Sequence, residues 1–183
     1  MGNTPSAIER KMAQSATAFL QIVWPRVRRA FGDGDLIPVE SVTDSNMARR
    51  LDMLAGIDAW HIQRGAGIRG IASRVQVGRS WRSFTIRLAL DSGADTEYAK
   101  RGRAIRAAPG RWLFPYLTCQ AYLANWDGPL LSAAVAKTSD IITCVDNGWC
   151  EKRRTDNASF AVVFWNVMTQ HDFLVNTYEG EAS

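Results

Sequence analysis

Between Gly56 and Leu90 apolar and polar residues alternate in three successive runs joined by short links. The first run is Gly56-Ile57-Asp58-Ala59-Trp60-His61-Ile62, and Gly65-Ala66-Gly67 turns the chain. The second extends from Ile68 to Val77, with Ile71 and Val75 apolar. The third, Trp81 to Leu90, places Phe84, Ile86 and Leu88 on one face and Ser83, Thr85 and Arg87 on the other, and Asp91-Ser92-Gly93 closes it. A period of two is the repeat of a strand with one buried face. Short links between such runs favour sequential antiparallel pairing. The segment therefore predicts an antiparallel meander.

Helical patterns flank it. Ile8, Met12, Ala16, Phe19, Val23 and Val27 follow helical spacing, so a long amphipathic helix is expected from near Pro5. Pro25 lacks a backbone N–H and should kink or end that helix. A helix covering the sheet is the plainer reading, and a partner-binding arm is the functional one. Gly32-Asp33-Gly34-Asp35 reads as a turn, because the pattern of a calcium loop does not continue beyond it. Residues 44–54 predict a short helix capped by Asp44 or Ser45. Asp95 or Thr96 caps a basic helix, TEYAKRGRAIRA, that stops at Pro109-Gly110. Trp112–Leu117 is a fourth strand candidate, residues 119–146 stay open between strand and helix, and Phe160–Trp165 reads as a buried strand. The tail YEGEAS is expected to fray. The expected fold class is α+β, a central mixed β-sheet of four to six strands flanked by helices. It forms a single domain over residues 1–183, with an N-terminal helical segment (1–31) and an α+β core (35–170).

Hydrophobic residues make up 46% of the chain and charged residues 22%, ordinary values for a packed domain. No apolar run reaches the roughly 18 residues of a membrane helix. The first residues, MGNTPSAIERKMAQ, contain no apolar stretch of a secretory signal, so a cytoplasmic protein is expected. Charge is unevenly spread. Residues 64–111 hold eleven basic residues against Asp91, Asp95 and Glu97, whereas residues 112–183 hold four basic and eight acidic. Arginine outnumbers lysine 18 to 4, and its planar fork suits phosphate groups, so this basic island points toward nucleic acid. Cys119, Cys144 and Cys150 are too few and too widely spaced for a disulfide framework, and neither His61 nor His171 completes a zinc site with them. A metal held here would be a hard cation on carboxylates.

Several chemistries lack their motifs. Gly65-Ala66-Gly67-Ile68-Arg69-Gly70 has the spacing of a dinucleotide fingerprint, but the residues after it are strand-like where a helix is required. No GxSxG elbow and no phosphate-binding P-loop occurs. The sequon Asn157-Ala158-Ser159 is incidental in an intracellular chain.

The order that remains is an acidic helix, a Gly-Ile-Asp58 strand, a hairpin turn, and a strand containing Ser73-Arg74-Val75-Gln76. Over roughly residues 35–145 this layout resembles the PD-(D/E)XK nuclease-like superfamily, which has a restriction-endonuclease-like fold, and in style the chain resembles its small phage- and plasmid-encoded members. In that superfamily a helix carries an acidic residue, one strand presents an Asp, and the next strand presents a carboxylate and a Lys two residues apart. The carboxylates bind Mg²⁺, which activates water for phosphodiester hydrolysis. The resemblance implies Asp58 as the strand Asp and Glu40 or Asp44 as the helical acid. Arg74 stands where the second carboxylate belongs and Gln76 where the Lys belongs. Arg cannot ligate Mg²⁺. Either the carboxylate has migrated, with Glu97, Asp52 or Asp91 as substitutes, or the frame persists without the chemistry.

Two functions follow as expectations. The first is a small nuclease-like DNA-binding protein. In it Asp58 with Glu40, Asp44 or Glu97 holds Mg²⁺, Gln76 orients the attacking water, and Arg74 and Arg87 neutralise the phosphate. The second is a non-catalytic phage or mobile-element protein that binds nucleic acid or a host protein through its basic surface. Arg69, Arg79, Arg82, Arg87, Lys100 and Arg101 are the candidate nucleic-acid contacts for both, and a homodimer is compatible with either. Trp60, Trp81 and Trp112 are either core residues or platforms for unpaired bases. Glu97 with Lys100 or Arg101 reads as a helical ion pair, and Asp58 as a turn cap or a partner of Arg74.

Overall fold

The computed structural model describes residues 7–39, 56–63, 65, 67–107 and 113–180. The helix expected over 44–54, with Glu40, Asp44 and Asp52, lies outside them, as do Pro109-Gly110 and Trp112. Two sheets share the architecture. The larger is six-stranded and mixed, in the order β1 (Asp35–Pro38), β2 (Ala59–Gln63), β3 (Gly67–Val77), β5 (Leu117–Leu123), β6 (Leu130–Lys137), β9 (Leu174–Glu179). Only the β3–β5 pair is parallel; its register runs from Ile71 opposite Leu117 to Val77 opposite Leu123. The smaller sheet is antiparallel and three-stranded, in the order β4 (Ser83–Leu90), β8 (Ala158–Phe164), β7 (Glu151–Arg154). The α+β class and the mixed central sheet are thus present.

The meander is present only for its first two strands. β2 pairs with β3 as expected, but β4 leaves the sheet and pairs with β8. The reason lies in the faces the strands offer. Every residue of β5 is buried, which suits a central strand covered on both sides, and it takes the place beside β3. β4 has one apolar face, suited to a sheet packed on one side only. The connection turns out of the large sheet through Gly78 (φ 102°) and Arg82 (φ 47°), and the Arg82 carbonyl accepts the Trp165 N–H at 2.9 Å. Pro115 has no N–H for a ladder, and the fourth strand begins after it, at Leu117 instead of Trp112. Leu130–Ala136 proves to be strand. The tail is ordered further than expected, since Tyr178 and Glu179 pair with Ala133 and Ser132.

α1 (Ala7–Ala18) continues through a π-helical turn, Phe19–Val23, into α2 (Trp24–Val27). The widened turn is the response to Pro25. Trp24 N–H bonds back to the Phe19 carbonyl, five residues away, and Pro25 falls in the first turn of α2, where its missing N–H costs little. Phe19, Val23, Val27 and Phe31 cover one face of the large sheet, against Ile71, Val75, Leu117, Ala121 and Val135. The expected apolar stripe does not extend back along α1, because Met12 is 57% exposed. The other face of the sheet gives Tyr122, Ala134 and Ala136 to a second core. Phe84 and Ile86 of β4 join it, with Ile141 and Val145 of α4 (Thr138–Asp146) and Trp165 and Met168 of α5 (Trp165–Gln170). α3 (Glu97–Arg106) is capped by Thr96, whose hydroxyl accepts the Ala99 N–H at 3.3 Å. Among the described residues no helix is long and apolar enough to cross a membrane.

His61 lies under the N-terminal helices, fully buried, edge-on to Trp24 (5.7 Å) and Phe31 (6.1 Å). Its ring nitrogens have no partner of good geometry among the described residues. Burial, and then the charge of Arg69 opposite it on β3, push its pKa down against the pull of the Gly32 backbone and Asp35. The unfolded chain then takes a proton near the ordinary value of about 6.5 that the folded chain refuses, so stability falls as pH drops through that value. We expect the thermal midpoint to decline from about pH 7 to about pH 5 and the decline to flatten in His61→Phe, as followed by circular dichroism.

Candidate functional site

Residues 74, 76, 118, 120 and 122 share the face of the large sheet that looks away from the N-terminal helices. From this face Arg74 reaches across to β4 and α3. It donates to the Thr85 carbonyl at 3.2 Å and to Glu97 Oε1 at 2.5 Å. Glu97 Oε2 accepts the Arg87 N–H at 3.3 Å. Burial alone would raise the Glu97 pKa. The charges of Arg74, Arg101 and Arg87, with the Arg87 N–H, overcome it and hold the carboxyl below its ordinary value. Arg101 is buried on α3 and donates to the Gly56 carbonyl at 3.4 Å. One carboxylate therefore joins β3, β4 and α3 through three arginines. Gln120, cross-strand from Arg74 and fully buried, has no partner for its amide nitrogen among the described residues.

Two residues along β3 from Arg74, Gln76 enters a cleft of about 160 Å³. Trp81, Ser83, Thr85, Tyr122, Arg153, Val162 and Phe164 complete its lining. Tyr122 donates its hydroxyl to the Ser83 carbonyl at 2.8 Å; burial pushes its pKa up against that bond and the nearby Arg74 charge. At the mouth, Trp81 is 47% exposed. The Arg79 guanidinium lies 4.8 Å from the centre of its ring and that of Arg153 lies 5.7 Å from it.

The structure brings together Arg74, Arg87, Glu97 and Arg101, with Gln76 and Arg79 next along the same connection. Asp58 does not pair with Arg74. It stands just ahead of β2, where its Oδ2 accepts the Ser73 N–H at 2.5 Å and the Ser73 hydroxyl at 3.3 Å. Glu97, on α3, bonds to Arg74 of β3, and Arg101 of its own helix acts on it through its charge. Arg82 is tied to Glu179 on β9, away from Arg74 and Arg87. Arg69 lies over Tyr116 (5.1 Å), and Lys100 is half-buried on α3. Much of the basic island is answered by acids: Arg103 by Asp95, Arg106 by Asp146, Arg82 by Glu179. Sequence reasoning missed Arg153 and Tyr122 as site residues. Arg153 comes from the acidic C-terminal third, where no local signal connects it to Trp81.

The carboxylates proposed for Mg²⁺ divide. Glu40 and Asp44 lie outside the described residues. Glu97 does not fit a metal, because both its oxygens are engaged and the charge around it is positive. Oδ2 of Asp58 is engaged by Ser73. Among the described residues no three His, Cys, Asp or Glu side chains gather in one place. Burial pushes the Cys119 thiol up to about 12 and the Cys144 thiol up to about 11, so neither is a nucleophile at neutral pH. No family model matches the chain, and no curated protein or solved structure matches it.

Glu97→Gln leaves the arginines around it without their anion. We expect a loss of about 1–3 kcal/mol in urea titration at neutral pH. Since the folded pKa of Glu97 is depressed, its contribution is complete above the unfolded value of about 4.3 and is lost as pH falls through the folded one. The gap between wild type and variant should close at acid pH, well below the window assigned to His61.

Proposed function

We propose that this chain binds nucleic acid, DNA in the favoured case, through the arginine-flanked face of Trp81, on a restriction-endonuclease-like frame. The observation that carries the reading is the half-exposed indole with the Arg79 and Arg153 guanidinium groups over its ring. A guanidinium plane held over an indole offers a base a stacking surface, and its charge attracts the adjoining phosphates. Arg79 makes no ion pair among the described residues. Among the described residues Arg153 has only the exposed Glu151 pair, worth little in water and readily exchanged for a phosphate. The nuclease-like frame is supported by the adjacency of β2 and β3. Asp58, at the head of one, bonds to Ser73 of the other, directly before Arg74 and Gln76.

Binding without hydrolysis is favoured over Mg²⁺-dependent cleavage, because the Glu97 carboxylate is spent on arginines. Fluorescence anisotropy with labelled single- and double-stranded DNA, titrated across salt, tests the reading. Affinity should fall steeply with salt. The double substitution Arg79→Ala with Arg153→Ala should weaken binding at least tenfold and reduce the salt slope by about 2. Absence of DNA binding at low salt would overturn the proposal. Incubation with supercoiled plasmid and Mg²⁺ or Mn²⁺, beside Asp58→Ala, separates the two chemistries. Metal-dependent nicking abolished by that substitution would replace the binding reading with the nuclease one.

A further inference from the structure

The cleft beside Trp81 has the features of a receptor for one flat, hydrogen-bonding group. Its walls are of two kinds. Val162 and Phe164 supply apolar surface, and Arg153 closes one side with its guanidinium against the Trp81 ring. Gln76 and Thr85 supply polar groups. Neither the Gln76 carboxamide nor the Thr85 hydroxyl makes a side-chain hydrogen bond among the described residues. The Tyr122 hydroxyl, by contrast, is already donated to Ser83. The cleft thus retains a free amide with two donors and an acceptor, and a free hydroxyl, beside a cation-lined aromatic.

We infer that the cleft takes a single unpaired nucleobase, so that the protein recognises single strands, frayed ends or extruded nucleotides above continuous duplex. This rests on the nucleic-acid reading and deepens it. A carboxamide complements the donor–acceptor edge that a base exposes once it leaves its pair. The Arg153 plane backed by Trp81 gives the base a stacking surface. A guanidinium beside the ring also answers the negative charge of the adjoining phosphate. Gln76 holds the base edge and Thr85 adds a second polar contact. Arg79, over the Trp81 ring but not lining the cleft, meets the backbone.

The test compares oligothymidylate with an abasic deoxyribose phosphate oligomer of the same length, both end-labelled, on the intact chain. The two carry the same phosphates and differ only in bases. We expect the abasic oligomer to bind about tenfold more weakly. Gln76→Ala and the exposed-site variant Trp81→Ala should each weaken oligothymidylate while leaving the abasic oligomer nearly unchanged, with circular dichroism confirming the fold of both. Equal affinity of wild type for the two oligomers would overturn the cleft assignment and leave nucleic-acid binding standing. Failure to bind either oligomer would overturn both. Variants that weaken the two oligomers alike would assign Gln76 and Trp81 to phosphate contact or to folding, and would also overturn it.

Discussion

A half-buried carboxylate is the pin on which the two sheets turn. Glu97 starts α3, yet its oxygens are claimed by β3 through Arg74 and by β4 through the Arg87 backbone. Taking a carboxylate and several guanidinium groups out of water is costly, and the structure offsets that cost with opposite charge and good hydrogen bonds around one anion. The benefit is positional. β4 has left the sheet in which its neighbour β3 lies, and the ion cluster fixes where it goes. The face of β4 bearing Thr85 is thereby held beside Gln76, and the cleft exists because of that juxtaposition.

The same cluster revises what the arginines of the middle segment mean. As a sequence they form an island of positive charge. In the fold, part of that charge is internal, and much of the rest is answered by Asp95, Asp146 and Glu179. The C-terminal third, acidic in sequence, supplies two of these anions. Its own cations, Arg153 and Arg154, meet the other segments in turn, Arg153 over Trp81 and Arg154 at Asp91. The unanswered positive charge of this segment is consequently smaller than the sequence suggests.

What was legible in the sequence was local. Period-two alternation located β2, β3 and β4 and assigned the faces of β4 correctly, since Phe84 and Ile86 enter the second core while Ser83 and Thr85 line the cleft. Asp95 or Thr96 was expected to cap α3, and Thr96 does so. Pairing between distant segments was not legible, because nothing local tells β4 that β8 is its partner, or that β5 belongs beside β3. Strands β1, β7 and β9 are short or polar and carry no periodicity strong enough to stand out. Arg74, Gln76 and Glu97 were named through the nuclease-like resemblance and Arg87 as a candidate phosphate contact, but that Glu97 serves the arginines is a fact of three dimensions. Arg153 is separated from Trp81 by most of the second half of the chain.

That separation has a consequence for how the protein comes into being. A ribosome delivers residues in order, and segments near the N-terminus emerge first. β2 and β3 can pair almost at once. β4, by contrast, emerges with its apolar face ready and no strand to pair with until β8 has been made. The cleft needs Arg153, Val162 and Phe164 as well. A chain interrupted partway therefore holds the ingredients of a sheet and one wall of the cleft, which is complete only after β8 closes on β4.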